Sequence, residues 1–140
     1  MSGEPAVRRI DVGFDGSREA AAALATAVRL ARSLEARLRL VAVAEQRFDL
    51  TGRLLPGPGE LERLERHLAH AIVDLDGLGV ETELREGSPD EVIRELARES
   101  HLLVLGSRAS YGAPGHTSLG SIAARVVGAS PVPTLIVPTR

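Results

Sequence analysis

The apolar run Leu102-Leu103-Val104-Leu105 stops at Gly106 and passes through Ser107 and Arg108 into a glycine-rich stretch that closes on Gly120-Ser121. Consecutive apolar residues bounded by polar chain read as a fully buried strand, the kind a parallel sheet needs. Beyond the glycine the chain crosses a polar loop and restarts as a helix at Ser121, with Ile122, Val126 and Val127 on one face. That order sets unpaired backbone N–H groups and a helix amino terminus at the end of a core strand. Both the free amides and the helix dipole favour an anion there.

The rest of the chain repeats the alternation. Residues 8–14 carry Ile10, Val12 and Phe14 and predict a first strand, and Asp15-Gly16-Ser17 is a turn in which Ser17 or Asp15 can cap the next element. Ala20, Ala23, Leu24, Ala27, Ala31 and Leu34 recur at helical spacing, so a helix is expected over residues 18–33. A second strand covers residues 38–44. Residues 47–59 hold three glycines and two prolines and read as a mobile loop. Leu61, Leu64, Leu68, Ile72 and Leu75 then predict a helix over residues 60–78, ended by Gly77 and Gly79. A third strand spans residues 80–85, and a helix capped by Ser88 with Pro89 in its first turn runs to residue 99. The fourth strand is residues 102–105, the fourth helix residues 121–129 and the fifth strand residues 134–137. Strands alternating with helices imply one α/β domain over residues 1–140, a parallel sheet with helices on both faces. Ligands of such sheets bind beyond the carboxyl ends of the strands where the strand order reverses, which points to Asp15 and Gly106.

Composition removes several functions. Net charge is −2, so no basic field for nucleic acid exists, and Phe14, Phe48 and Tyr111 are too few aromatics for a base-stacking platform. Without cysteine there are no disulfides, thiol nucleophiles or cysteine metal sites. No apolar run is long enough to span a membrane and the first six residues lack a signal-peptide core, so the expected location is cytoplasmic. All 17 basic residues are arginine. The missing lysine excludes a P-loop, Schiff-base chemistry and a response-regulator receiver.

Three segments together resemble the universal stress proteins of the UspA type: residues 10–17 (Ile-Asp-Val-Gly-Phe-Asp-Gly-Ser), residues 103–108 (Leu-Val-Leu-Gly-Ser-Arg), and Leu119-Gly120-Ser121 leading to residues 131–138 (Pro-Val-Pro-Thr-Leu-Ile-Val-Pro). The resemblance covers residues 10–138. It implies a Rossmann-like fold, similar to adenine nucleotide alpha-hydrolases, with five strands in the order 3-2-1-4-5. It also implies a homodimer in many members and ATP binding in some. The nucleotide-binding members carry a glycine, two residues, a glycine, nine residues, then Gly-Ser or Gly-Thr. Here Gly106 fits the first position and Gly120-Ser121 the last, but Ala109 replaces the second glycine and ten residues follow it.

On this resemblance the nucleotide contacts are Asp15 at the ribose and adenine end, Val43 with its backbone against adenine, Gly106 beside the ribose, Gly120 and Ser121 at the phosphates, and Ala109 in place of the second glycine, strained if the position needs positive φ and tolerable if it only offers a backbone N–H. The ligand is ATP or AMP, with or without magnesium, and no nucleotide if the altered loop has lost binding. The alternative is a homodimeric interaction module of the same fold, binding a protein partner of unknown identity through the 47–59 loop or the dimer surface. The apolar strand 134–137, flanked by prolines, suits a sheet edge paired with its copy across a two-fold axis. No enzyme is expected, beyond slow ATP hydrolysis, because no nucleophile–base pair stands out around Ser17 or Ser107. Arg108 reads as a solvated arginine, His67 and His70 as a solvated helix face rather than a metal site, His116 as a loop residue and His101 as a strand-boundary residue.

Overall fold

A computed structural model describes residues 7–73, 75, 77–108 and 130–139. The elements are β1 (Arg9–Gly13), α1 (Arg18–Leu34), β2 (Arg37–Ala44), β3 (Gln46–Phe48), β4 (Leu54–Pro56), α2 (Glu60–Ala71), β5 (Val80–Glu86), α3 (Pro89–Glu99), β6 (Leu102–Arg108) and β7 (Thr134–Thr139). Five strands form one parallel sheet in the order β5-β2-β1-β6-β7. Counting only these five strands, that is the expected order 3-2-1-4-5. The expected fourth helix, with Ala109, Gly120 and Ser121, lies outside the described residues.

Period-two alternation sends each strand's side chains to opposite faces. On one face Ile10, Val12, Leu38, Leu40 and Ala42 pack with the alanine stripe of α1 and with Leu64 and Leu68 of α2. Small residues at Ala20, Ala23, Ala27 and Ala31 let α1 lie close to the strands. On the other face Val41, Leu103 and Leu105 meet Ile93, Leu96 and Ala97 of α3.

That second face also holds a buried ionic network. The Asp11 carboxylate is fully buried and accepts from Arg39 Nε at 2.6 Å and Nη2 at 3.1 Å, and from the Ser100 hydroxyl. Arg39 also reaches Glu99 at 3.1 Å and Glu83 at 3.4 Å, and Arg85 bridges the same two glutamates at 2.9 and 3.1 Å. The bond to Asp11 holds the Arg39 guanidinium above its ordinary pKa, against the cost of burial. The bond from Arg85, then that from Arg39, holds Glu99 below the ordinary carboxylate value.

Three expected boundaries need correction. Residues 47–59 are not simply a loop, because β3 and β4 form an antiparallel hairpin. Its turn is tied by Asp49, whose Oδ1 accepts from Thr51 N at 2.8 Å, Thr51 Oγ1 at 2.7 Å and Arg53 N at 2.9 Å. These bonds, that from the Thr51 hydroxyl first, lower the Asp49 pKa. The second helix ends at Ala71, not residue 78, and the chain continues in three-residue turns such as Leu75 N to Ile72 O at 3.2 Å. A sequence holding Asp74, Asp76 and Gly77 is a poor helix former, and acids oppose the dipole at a carboxyl terminus. The fourth strand does not stop at Gly106 but runs through it to Arg108, paired with β7 by Gly106↔Val137 and Ser107↔Pro138.

Candidate functional site

The carboxyl ends of β1, β2 and β6 open on a cleft of about 480 Å³. Its floor is Gly13, Phe14, Val41, Val43, Leu105 and Gly106, and its walls are the first turns of α1 and α2 with Ile93 of α3. β1 is central and its neighbours on either side leave in opposite directions, so the crevice falls where a doubly wound sheet places its ligand. Asp15, Val43 and Gly106, drawn from three separate segments, all line this one cleft.

Asp15 stands exposed on the turn after β1. Its Oδ1 accepts from Ser17 N at 2.9 Å, while the Ser17 hydroxyl accepts from Ala20 N at 3.1 Å. Ser17 is therefore the cap of α1, and Asp15 orders the turn that presents it. The bond from Ser17 N engages Oδ1 alone, so the exposed Asp15 carboxylate keeps acceptor capacity at the edge of the cleft. Phe14 N bonds Val41 O at 2.8 Å and fastens the start of the turn to β2. Gly16, at φ +84°, adopts the left-handed conformation, and a Cβ there would sit 2.5 Å from the His67 ring. His67 is thus half-buried against the β1–α1 turn instead of on a solvated face. Among the described residues no cluster of three potential ligands exists for a metal.

Gly106 has a packing reason of its own. A Cβ on it would land on the Glu19 carbonyl and within 3.0 Å of the Glu19 Cβ. The glycine lets the first turn of α1 rest directly on β6, which sets the height of the cleft wall.

Sequence reading missed the α2 side of the cleft. Glu60 and Arg63 line it and pair with each other at 2.9 Å. Among the described lining residues four are acidic, Asp15, Glu19, Glu45 and Glu60, and Arg63 is basic, so the described lining is acidic by composition. A Glu and an Arg three apart at the start of a helix carry the signal, but nothing in the sequence aligned them with Asp15. His101, read as a boundary residue, sits at the opposite end of the sheet, where its Nδ1 accepts from Arg8 N and Arg9 N, both at 3.0 Å. Arg108 belongs to β6, and Ser107 is buried there.

The sequence matches the universal stress protein family profile over residues 6–138. A universal stress protein of Thermus aquaticus is 35% identical over 136 residues, covering 93% of this chain and 98% of its own. One from Mycobacterium tuberculosis is 28% identical over 146 residues, and this chain spans only 51% of its length. Among solved structures, a universal stress protein family member from Burkholderia pseudomallei superposes with TM-score 0.73 at 28% identity, covering 96% of this chain and 98% of its own. A universal stress protein in complex with cAMP gives 0.71 at 24% identity, over 96% and 98% of the two chains. One from Archaeoglobus fulgidus in complex with dAMP gives 0.69 at 18%, over 92% and 96%.

Proposed function

This chain belongs to the universal stress protein family, and we propose that it binds an adenine nucleotide, ATP or AMP, in the cleft above β1, β2 and β6. The observation that carries the reading is the convergence of Asp15, Val43 and Gly106 on one cavity large enough for a nucleoside. The cAMP and dAMP complexes of fold neighbours support the same ligand class. In this reading the Asp15 carboxylate accepts from ribose hydroxyls or an adenine amino group, and the Val43 backbone meets the base. Gly106 lies beside the ribose. Ala109, Gly120 and Ser121 supply amide donors, and the Ser121 hydroxyl a further one, to the phosphates.

The acidic wall suits the sugar and base and repels a polyphosphate. The tail therefore points away from Glu19, Glu45 and Glu60, and magnesium, by neutralising it, favours entry of ATP. In this reading the protein acts as a cytoplasmic, nucleotide-dependent regulator rather than as a catalyst. It works as a homodimer through the β7 edge, with occupancy read by a protein partner. β7 is an outer strand of the sheet and Leu135 is exposed on it.

Titration calorimetry of the full chain with ATP, MgATP and AMP tests the reading. Saturable binding is expected, weakened at least tenfold by Asp15→Ala and by Gly120→Val, with MgATP tighter than free ATP. Absence of heat at millimolar nucleotide would end it. A second reading, a partner-binding module without nucleotide, is favoured by the β3–β4 hairpin, where Phe48 is 76% exposed and Leu50 fully so. Capture of a partner by nucleotide-free protein, lost in Phe48→Ser/Leu50→Ser, would support it.

A further inference from the structure

At the opposite, amino end of the sheet a second cleft of about 540 Å³ is lined by Arg8, Arg9, Glu35, Arg37, Glu99 and His101. Its charge arrangement is unusual for a sheet. Arg9 and Arg37 are partners in register on the neighbouring strands β1 and β2, so two like charges stand side by side. Such a pair is destabilising unless something neutralises it. Two residues further along the same strands, on the same face, Asp11 and Arg39 are also in register, and there the guanidinium has three carboxylates around it. No carboxylate among the described residues pairs with Arg9 or Arg37. Two acids line the cleft beside them: Glu35, which forms no ion pair with either arginine, and Glu99, which already holds Arg39 and Arg85.

His101 adds a donor of defined tautomer. Its Nδ1 accepts two backbone N–H bonds, from Arg8 and Arg9, so the ring proton resides on Nε2. Among the described residues the cleft thus gathers two guanidiniums that no carboxylate pairs with, and an imidazole N–H. We propose that it binds the phosphate dianion of a small phosphomonoester, with Arg9 and Arg37 sharing the phosphate oxygens and His101 Nε2–H donating to one of them. The volume exceeds what a bare phosphate fills, which favours an organic group attached to it. The site is at the other end of the strands from Asp15, so it does not depend on the nucleotide reading.

The test follows backbone amide shifts of the ¹⁵N-labelled full chain during titration with ribose 5-phosphate and, separately, inorganic phosphate, each against sodium chloride of equal ionic strength. Saturable shifts at Arg9, Arg37 and His101 are expected, at least tenfold weaker in Arg9→Gln/Arg37→Gln and unchanged in Asp15→Ala. Tighter binding of ribose 5-phosphate identifies a phosphomonoester, and equal affinities identify free phosphate as the source of the same dianion. Linear shifts matched by chloride, or unaltered affinity in the double variant, would overturn the proposal. Thermal melts supply a second readout. Without phosphate the double variant should melt no lower than the parent, since repulsion is relieved, and phosphate should raise the melting temperature of the parent alone. A lower melting temperature of the variant in phosphate-free buffer would contradict the premise that the arginines are uncompensated.

Discussion

Replacing Asp11 with asparagine keeps the shape of the buried network and removes its central charge. Asp11 accepts two bonds from Arg39 and has no exposed surface, while the Arg39 side chain is 10% exposed. Breaking a buried ion pair from one side costs about 3–5 kcal/mol, because the remaining charge is stranded away from water. Glu99 and Glu83 still touch Arg39, but their side chains are 49% and 38% exposed, so solvent screens them and they compensate only partly. The expected loss is therefore at the lower end, about 3 kcal/mol. With an unfolding entropy of roughly 0.3 kcal/mol/K for a chain this long, the melting temperature should fall by about 10 °C. The assay is chemical denaturation and calorimetry of the parent, Asp11→Asn, and Asp11→Leu/Arg39→Met. The double variant should recover most of the loss, since apolar residues of similar size replace a buried pair at little cost. A loss under about 1 kcal/mol in Asp11→Asn, or a double variant as unstable as the single, would refute the stranded-charge reasoning.

Other expectations follow from the same geometry. Gly106→Ala drives a methyl group into the Glu19 backbone, an overpacking cost of about 1–3 kcal/mol, read as a fall of roughly 3–10 °C in melting temperature. Ser17→Ala removes the cap bond to Ala20 N and should cost about 1 kcal/mol by denaturant unfolding, with no change in fold by circular dichroism. The depressed folded pKa of Glu99, caused first by Arg85, contributes stability that is present above the unfolded carboxylate value of about 4.3. That stability is lost as pH falls through the folded value. Acid titration followed by circular dichroism should show a shallower loss for Glu99→Gln than for the parent.

Periodicity made the sheet legible because each strand and helix solves its own burial problem locally. The alanine stripe of α1 and the Leu102–Leu105 run needed no tertiary context to be read. The hairpin at residues 46–56 was hidden by its glycine and proline content, although Asp49, Thr51 and Gly52 spell a side-chain-tied turn. The end of α2 was misplaced because Ile72 and Leu75 continue the apolar spacing past the point where acids and glycine stop the helix.

Site residues were legible where topology alone places them. Asp15 and Gly106 end or cross neighbouring central strands, so a doubly wound order suffices to bring them together. Arg63 and Glu60 were not, because their approach depends on the angle at which α2 returns over β2. The Asp11–Arg39–Glu99 network was equally hidden. A charged residue inside an apolar strand signals burial only when its partner on another strand is known, and register carries that information.

The most direct test of the central claim is an amide-shift titration of the ¹⁵N-labelled chain with AMP. Saturable shifts at Phe14, Asp15, Val43 and Gly106, absent in Asp15→Ala, are the predicted result. Unmoved amides at these four positions under millimolar AMP, or shifts confined to other parts of the chain, would contradict it.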